Sequence, residues 1–520
     1  MADARCVFEN LLRFLPRVDL VSVAEPHKIV ILGGGTAGWM AANLMAKRWA
    51  NKPIEITLVE SPSVGIIGVG EGSTPTLKRF FESIEITEQE WMPRCDATYK
   101  VNIRFSGWSP ESGIADYSHP FTCQTDTFSH RAFEVNCRTR RLGLNTHTRP
   151  DDFLLNGVLA NQNKGPVTPE NFPFVMEYGY HFNSQLLGEF LAEIALQRGV
   201  QHQQADVVSV SKHNNGDIAA LVTKEGMEIK GDFFIDCSGF RSVLLKGALG
   251  VPFESFKSNL FNDSAVVLPT PIQQDIPSET LSTAMSAGWC WRIPLTSRFG
   301  NGYVYSSDFI SSEQAEVELR QHLGMQDSDQ ECRHLKMKVG QAKYHWMNNC
   351  LGIGLAQGFI EPLEATALHL VQISIEMFMA KYDESQLTGK HRDSFNQDIH
   401  DRFERVRDYI VAHYKMNTRH DSEYWRVNRE NNHLSDSLCH ILDVWFKCED
   451  LGVEIERQNL NSHFDSISWH CLLAGYGKFP PLAPNQPGTG DLYQDQGVDE
   501  FLRRCSLNFQ QHSENLNNLR

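Results

Sequence analysis

The sequence predicts an α/β protein built on a dinucleotide-binding βαβ unit and closed by a mainly helical C-terminal region. Three observations carry this. Lys28–Leu32 is a short apolar, β-branched run; Gly33, Gly35 and Gly38 follow at G-x-G-x-x-G spacing; and Trp39–Met45 then reads as a helix. A strand, a tight glycine turn and a helix N-terminus present free N–H groups to a pyrophosphate, with Thr36 and Ala37 inside the turn. Glycine turns also occur for structural reasons alone, so this stretch leaves the dinucleotide unnamed.

Each later element adds to this start. Ile54–Glu60 alternates as a second strand and ends in a carboxylate 22 residues past Gly38, where an acid suits a ribose diol. A βαβ unit at the head of a long chain favours FAD over an exchanging nicotinamide, and no second nucleotide unit is visible. Ser61–Pro75 is a glycine- and proline-rich loop leading into a helix from Thr76, with Lys78 in its first turn. By residue type alone Lys78 is a solvated surface lysine.

Tyr99–Trp108 alternates as a strand, and Ser109–Glu177 reads as an irregular, aromatic- and histidine-rich insertion. Ser184–Arg198 is an amphipathic helix, Asn214–Asp217 is a hairpin turn, and Asp232–Asp236 is a buried strand entering a glycine turn. In Gly288–Pro294, alternation puts Trp289 and Trp291 on one face of a strand, an arrangement that also serves core packing. Gly352–His369 reads as a strand and glycine turn containing Leu355, then a helix from about Ala365. Glu364 then lies at a helix N-terminus, with the N–H groups of Thr366 and Ala367 free for an anion; a dipole-stabilised glutamate is the plainer alternative. The remainder is helical over Gln397–Tyr414, Ser435–Cys448 and Val498–Asn508.

The 520 residues suffice for two or three domains. They divide at residues 1–25, an N-terminal extension; 26–390, a nucleotide-binding module with insertions at about 106–180 and 255–340; and 391–520, a helical substrate module. The net charge of −16 excludes a nucleic-acid partner, and no stretch predicts a membrane span. Twelve scattered cysteines without a C-x-x-C pair favour a cytoplasmic setting, and no metal site is expected. Oligomeric state stays open, a homodimer included.

Taken together, GGGTAGW at Gly33–Trp39, GVGEGSTPTLK at Gly68–Lys78, GWCWRIP at Gly288–Pro294 and GFIEPLEAT at Gly358–Thr366 resemble the flavin-dependent tryptophan halogenases. DCSGFRS at Asp236–Ser242 and HYKMNTRHDSEYW at His413–Trp425 add to the likeness. The resemblance implies a Rossmann-like, glutathione-reductase-type flavoprotein monooxygenase fold. It further implies an enzyme that takes FADH2 from a separate NAD(P)H-dependent flavin reductase. Oxygen and halide (chloride, bromide or iodide) then give hypohalous acid, which halogenates an electron-rich aromatic small molecule. By the same resemblance Lys78 holds the oxidant, matched in preference to Arg79 because Lys-x-Phe-Phe fits the family helix. Glu364 assists the electrophile or takes the ring proton, Thr366 and Ala367 hold halide, and Trp289 and Trp291 separate flavin from substrate. Gly33, Gly35, Thr36, Ala37, Gly38, Glu60 and Leu355 hold the cofactor. Ala365 stands where the family often has serine. The competing readings are an aromatic flavin hydroxylase and a non-catalytic FAD-binding scaffold.

Overall fold

The computed structural model describes residues 25–63, 65, 70–273, 275–460, 463–486 and 497–519. Most of the expected N-terminal extension and part of the Ser61–Pro75 loop, Gly68 included, lie outside the described residues.

A six-stranded sheet forms the nucleotide end. Its order is Trp346–Met347, Cys350–Gly352, Phe233–Asp236, His27–Leu32, Ile54–Glu60 and Gln201–Gln204. All its pairings are parallel except the first. Ile29, Val30 and Ile31 at its centre are buried on both faces, which is why this strand is a continuous apolar run without alternation. Phe233–Asp236 joins directly to His27–Leu32, so the DCSG segment returns to the glycine turn. The helix Thr36–Arg48 packs between Ser184–Gln197 and Ala367–Glu384 on one face. Asn183 caps Ser184–Gln197 by accepting from the N–H of Gln185 at 3.1 Å.

A second, eight-stranded sheet forms the other end. Its path runs Arg333–Lys336, Ser264–Val267, Arg298–Tyr305, Gly288–Pro294, Glu279–Met285, Asn102–Ser106 and Asp116–Pro120, with Thr270–Pro271 alongside. Thr98–Lys100 turns out of this line at Val101 to pair with Gly179–Asn183, whose other neighbour is Gly70–Gly72. The expected single strand Tyr99–Trp108 is therefore two, serving two sheets. The expected irregular insertion also holds regular structure: the helices His130–Arg141 and Leu155–Asn161 and the strand Asp116–Pro120. Its polar, aromatic composition hid these helices because both pack against other insertion elements and C-terminal helices instead of showing one plain apolar stripe.

The C-terminal helices, led by the 25-residue Arg392–Met416, lie across both sheets. No helix among the described residues is long and apolar enough to cross a membrane.

Candidate active site

At the nucleotide end, Gly33 has φ +120°, and a Cβ there would sit 2.2 Å from the Cys237 carbonyl. A Cβ on Gly38 would sit 2.0 Å from the Gly33 carbonyl, so this glycine permits the close turn-to-helix approach. Gly35 differs: it is the N-cap of Thr36–Arg48, no side chain caps it, and a Cβ there would meet nothing within 4 Å. Open space in front of an uncapped helix N-terminus, with no acidic residue in the first turn, fits a dinucleotide diphosphate. Thr36 Oγ1 donates to the Ser184 carbonyl at 3.3 Å, tying the turn to the neighbouring helix. Glu60 ends its strand with a side chain about one-quarter exposed, 2.8 Å from His202 Nε2. Leu355 lies in the turn Gly354–Ala356, where a Cβ on Gly354 would come within 3.0 Å of Ala37 Cβ. These residues fit a bound FAD. Asp236 organises the loop beside it, accepting from the N–H groups of Leu244 and Leu245 at 2.8 Å each.

Glu361, Glu364, Thr366 and Ala367 lie where Gly358–Thr366 meets the C-terminal helices. Pro362–Glu364 is a 3-10 turn and Ala365 has φ +55°, so the helix starts at Ala367, two residues later than its apolar pattern predicts. That left-handed residue swings Glu364 out of the helix and into the interior, where it is 2 % exposed. Thr366 and Ala367 precede the first intrahelical bond, so their N–H groups have no acceptor within the helix.

Two imidazoles grip the Glu364 carboxylate. His119 Nδ1 lies 2.9 Å from Oε2, and His413 Nε2 lies 2.9 Å from Oε1. Ser468 Oγ, 3.0 Å from His119 Nε2, and the Tyr476 hydroxyl, 3.2 Å from His413 Nδ1, stand as donors on the far nitrogens. Each ring thus points its N–H at the carboxylate. Burial acts to raise the pKa of Glu364, but the two histidines outweigh it and bring it down to about 2. Burial in turn lowers the pKa of His413.

Three residues before Glu364, Glu361 is fully buried. Its Oε2 accepts from Trp289 Nε1 at 2.8 Å, the Tyr414 hydroxyl at 2.6 Å and Asn262 Nδ2 at 2.8 Å, while burial raises its pKa. This bond fixes the Trp289 indole, whose ring centre is 6.1 Å from that of Trp291. Trp291 in turn lies over Gly302, where a Cβ would be 2.2 Å from its ring.

The two lysines part company. Lys78 is half-buried at the start of Thr76–Ser83; its ammonium donates to the Met176 carbonyl at 3.2 Å and stands 4.6 Å from the Tyr178 ring centre. Lys100, which sequence reasoning passed over, is 0 % exposed and its amine has no hydrogen-bond partner among the described residues. Desolvation pulls its pKa down to about 7 against an upward pull from Glu364, and the amine stands 5.3 Å from the Phe121 ring centre. A Cβ on Gly72 would come within 3.2 Å of it. The sequence held no signal for it: alternation groups Lys100 with the polar positions Asn102 and Arg104, which reads as a solvated face, and only the fold shows it buried. His119 and His413 likewise carried no mark.

The sequence profile of the tryptophan halogenases matches residues 28–486. The tryptophan 6-halogenase SttH of Streptomyces toxytricini is 36% identical over 504 residues, covering 91% of this chain and 94% of its own length. The 7-chloro-L-tryptophan 6-halogenase KtzR of Kutzneria sp. (strain 744) is 38% identical over 441 residues, covering 80% and 84%. Among solved structures, Xcc4156, a flavin-dependent halogenase from Xanthomonas campestris, superposes with a TM-score of 0.82 at 31% identity, covering 95% of this chain and 98% of its own.

Proposed function

Because this chain belongs to the tryptophan halogenase family and is a flavin-dependent halogenase, we propose that it halogenates a tryptophan-like, electron-rich aromatic ring with Lys78 and Glu364 as its catalytic residues. The observation that carries the assignment is Glu364, buried at the Gly358–Thr366 turn and gripped at both oxygens by His119 and His413. Gly33, Gly35, Thr36, Ala37, Gly38, Glu60 and Leu355 would hold FAD, which, once reduced by a separate reductase, would supply the hypohalous oxidant from oxygen and halide; the N–H groups of Thr366 and Ala367 would hold the halide.

The side chains here do the rest. Lys78, whose Nζ lies beside the Met176 carbonyl and the Tyr178 ring, holds the oxidant by hydrogen bond or as a haloamine. Glu364, ionised and aimed by two imidazoles, takes the proton that the ring must lose after halogen addition. The Trp289–Trp291 wall, pinned through Glu361, keeps substrate apart from flavin. Lys100, buried and electrostatically coupled to Glu364, takes the supporting place in this assignment.

The test combines protein, FAD, a flavin reductase, NADH and chloride or bromide with indoles and phenols, read by mass spectrometry. Halogenated product that disappears in Lys78→Ala, with FAD binding and fold retained, is the expected outcome. Full activity in Lys78→Ala with loss in Lys100→Ala moves the amine role to Lys100. Hydroxylated product without halogenated product overturns the reaction class.

A further inference from the structure

One tyrosine shares the surroundings of the Lys78 amine. Met176, Glu177 and Tyr178, just ahead of the strand Gly179–Asn183, close on the first turn of Thr76–Ser83. The Met176 carbonyl accepts from Lys78 Nζ at 3.2 Å, Glu177 stands 3.6 Å from Arg79, and the Tyr178 ring centre lies 4.6 Å from Lys78 Nζ. Asn156 Nδ2 holds the Glu177 carbonyl in turn at 2.8 Å, so the segment is tied from both sides. An atom carried on that amine has a phenol ring for a neighbour.

The ring is prepared for an electrophile. Its hydroxyl donates to Glu88 Oε1 at 2.8 Å; Tyr180 donates to the same oxygen at 2.7 Å, and Tyr99 to Oε2 at 2.7 Å. A charge-assisted bond from a phenol to a carboxylate pushes electron density into the ring, most of all ortho to the hydroxyl. Tyr178 is the member of this trio whose ring Lys78 covers. Burial and Glu88 raise its pKa, so it meets the oxidant as a neutral phenol with a base on its proton.

A competing nucleophile stands in the same corner. Cys123 feels the charge of Lys78, but burial raises its pKa well above the usual thiol range. Its Sγ donates to the Phe121 and Glu177 carbonyls at 3.6 Å each, which holds it as a buried thiol and not the reactive thiolate.

We propose that Tyr178 is a self-halogenation site, marked ortho to its hydroxyl when the enzyme makes oxidant with no aromatic substrate present. This rests on the halogenase reading with Lys78 holding the oxidant. A ring electron pair forms a carbon–halogen bond at Cε1 or Cε2 as the halogen–oxygen bond of hypohalous acid breaks and hydroxide leaves. Glu88 takes the phenolic proton during the addition. The proton lost from the ring carbon then joins hydroxide as water, and Glu88 returns its own to the phenol oxygen. One hypohalous acid is consumed, and one halotyrosine and one water are formed. From a haloamine on Lys78 the nitrogen–halogen bond breaks instead, its electron pair returns to nitrogen, and the ring proton ends on the amine.

The test incubates the FAD-loaded full chain with flavin reductase, NADH and bromide but no indole or phenol, then maps its peptides by mass spectrometry. One bromine, recognised by its paired isotopes, should appear on the peptide carrying Tyr178, and excess indole should suppress most of it. Tyr178→Phe and Lys78→Ala should each lose the mark, with FAD absorbance confirming that the variants are folded. Glu88→Gln should lower it roughly tenfold or more while indole bromination continues. Oxidant escaping to solvent marks Tyr344, 42 % exposed, ahead of Tyr178. Bromine on Tyr344 with none on Tyr178 overturns the proposal, as does oxidised Cys123 beside an unmarked Tyr178, or an undiminished mark in Lys78→Ala. Indole bromination by the same preparation is scored separately. Brominated indole with Tyr178 unmarked when indole is withheld sinks the self-halogenation site and keeps the reaction. A marked Tyr178 without brominated indole keeps the site and removes indole as substrate. The absence of both products sinks the two assignments together.

Discussion

Replacing Lys100 by methionine reads out the energetic cost of one buried amine. The folded-state pKa stands at about 7 against 10.5 for a free lysine. At about 1.4 kcal/mol per pH unit, protonating it inside the fold costs roughly 5 kcal/mol more than in the unfolded chain. The sign follows from proton counts. Between pH 7 and 10.5 the unfolded chain binds a proton here that the folded chain does not, so stability rises with pH across that window. Below pH 7 both states are protonated and the whole penalty is present. Methionine fills a similar volume and carries no charge, so Lys100→Met should be the more stable protein at pH 6, by up to several kcal/mol. The advantage should fade as pH rises from 7 towards 10.5. Urea unfolding of both proteins at half-unit pH intervals measures it. A variant destabilised equally at all pH values would refute the buried neutral amine.

Three further outcomes follow from the same geometry. Glu364→Gln should lower halogenation by about a hundredfold or more, in the range of a lost general base. It should also remove part of the acid-unfolding slope between pH 4.5 and 2, because the wild-type carboxylate adds stability above its unfolded pKa and loses it as pH falls through its folded one. Gly35→Val should fold yet lose FAD by absorbance, since its side chain enters open space at the helix N-terminus, whereas Gly38→Ala should destabilise the fold itself through a Cβ 2.0 Å from the Gly33 carbonyl. Trp289→Phe removes one of three donors to Glu361 and should cost about 1–3 kcal/mol by chemical denaturation.

Patterns that depend on neighbours in the chain were legible before any tertiary structure. The central strand His27–Leu32 shows as an apolar run because both its faces are covered, and the glycines show because the turn admits nothing larger. The paired tryptophans of Gly288–Pro294 follow from strand alternation alone. The short motifs around them were enough to reach the halogenase family. The helix start at Ala367 was misjudged by two residues because a non-glycine residue, Ala365, adopts a left-handed conformation that no local pattern announces.

What only the tertiary structure decided is which groups face one another. Glu364, His119 and His413 come from segments hundreds of residues apart or from different elements, and meet only when the eight-stranded sheet and the C-terminal helices close on the Gly358–Thr366 turn. Lys78 and Lys100 carry the same functional group, and residue type cannot rank them. Their difference is solvent: one amine keeps a carbonyl and an aromatic face at the half-buried start of a helix, and the other is sealed with no partner among the described residues. Desolvation is a property of everything packed around a group, so the chain could specify the lysine while the fold alone set its proton affinity.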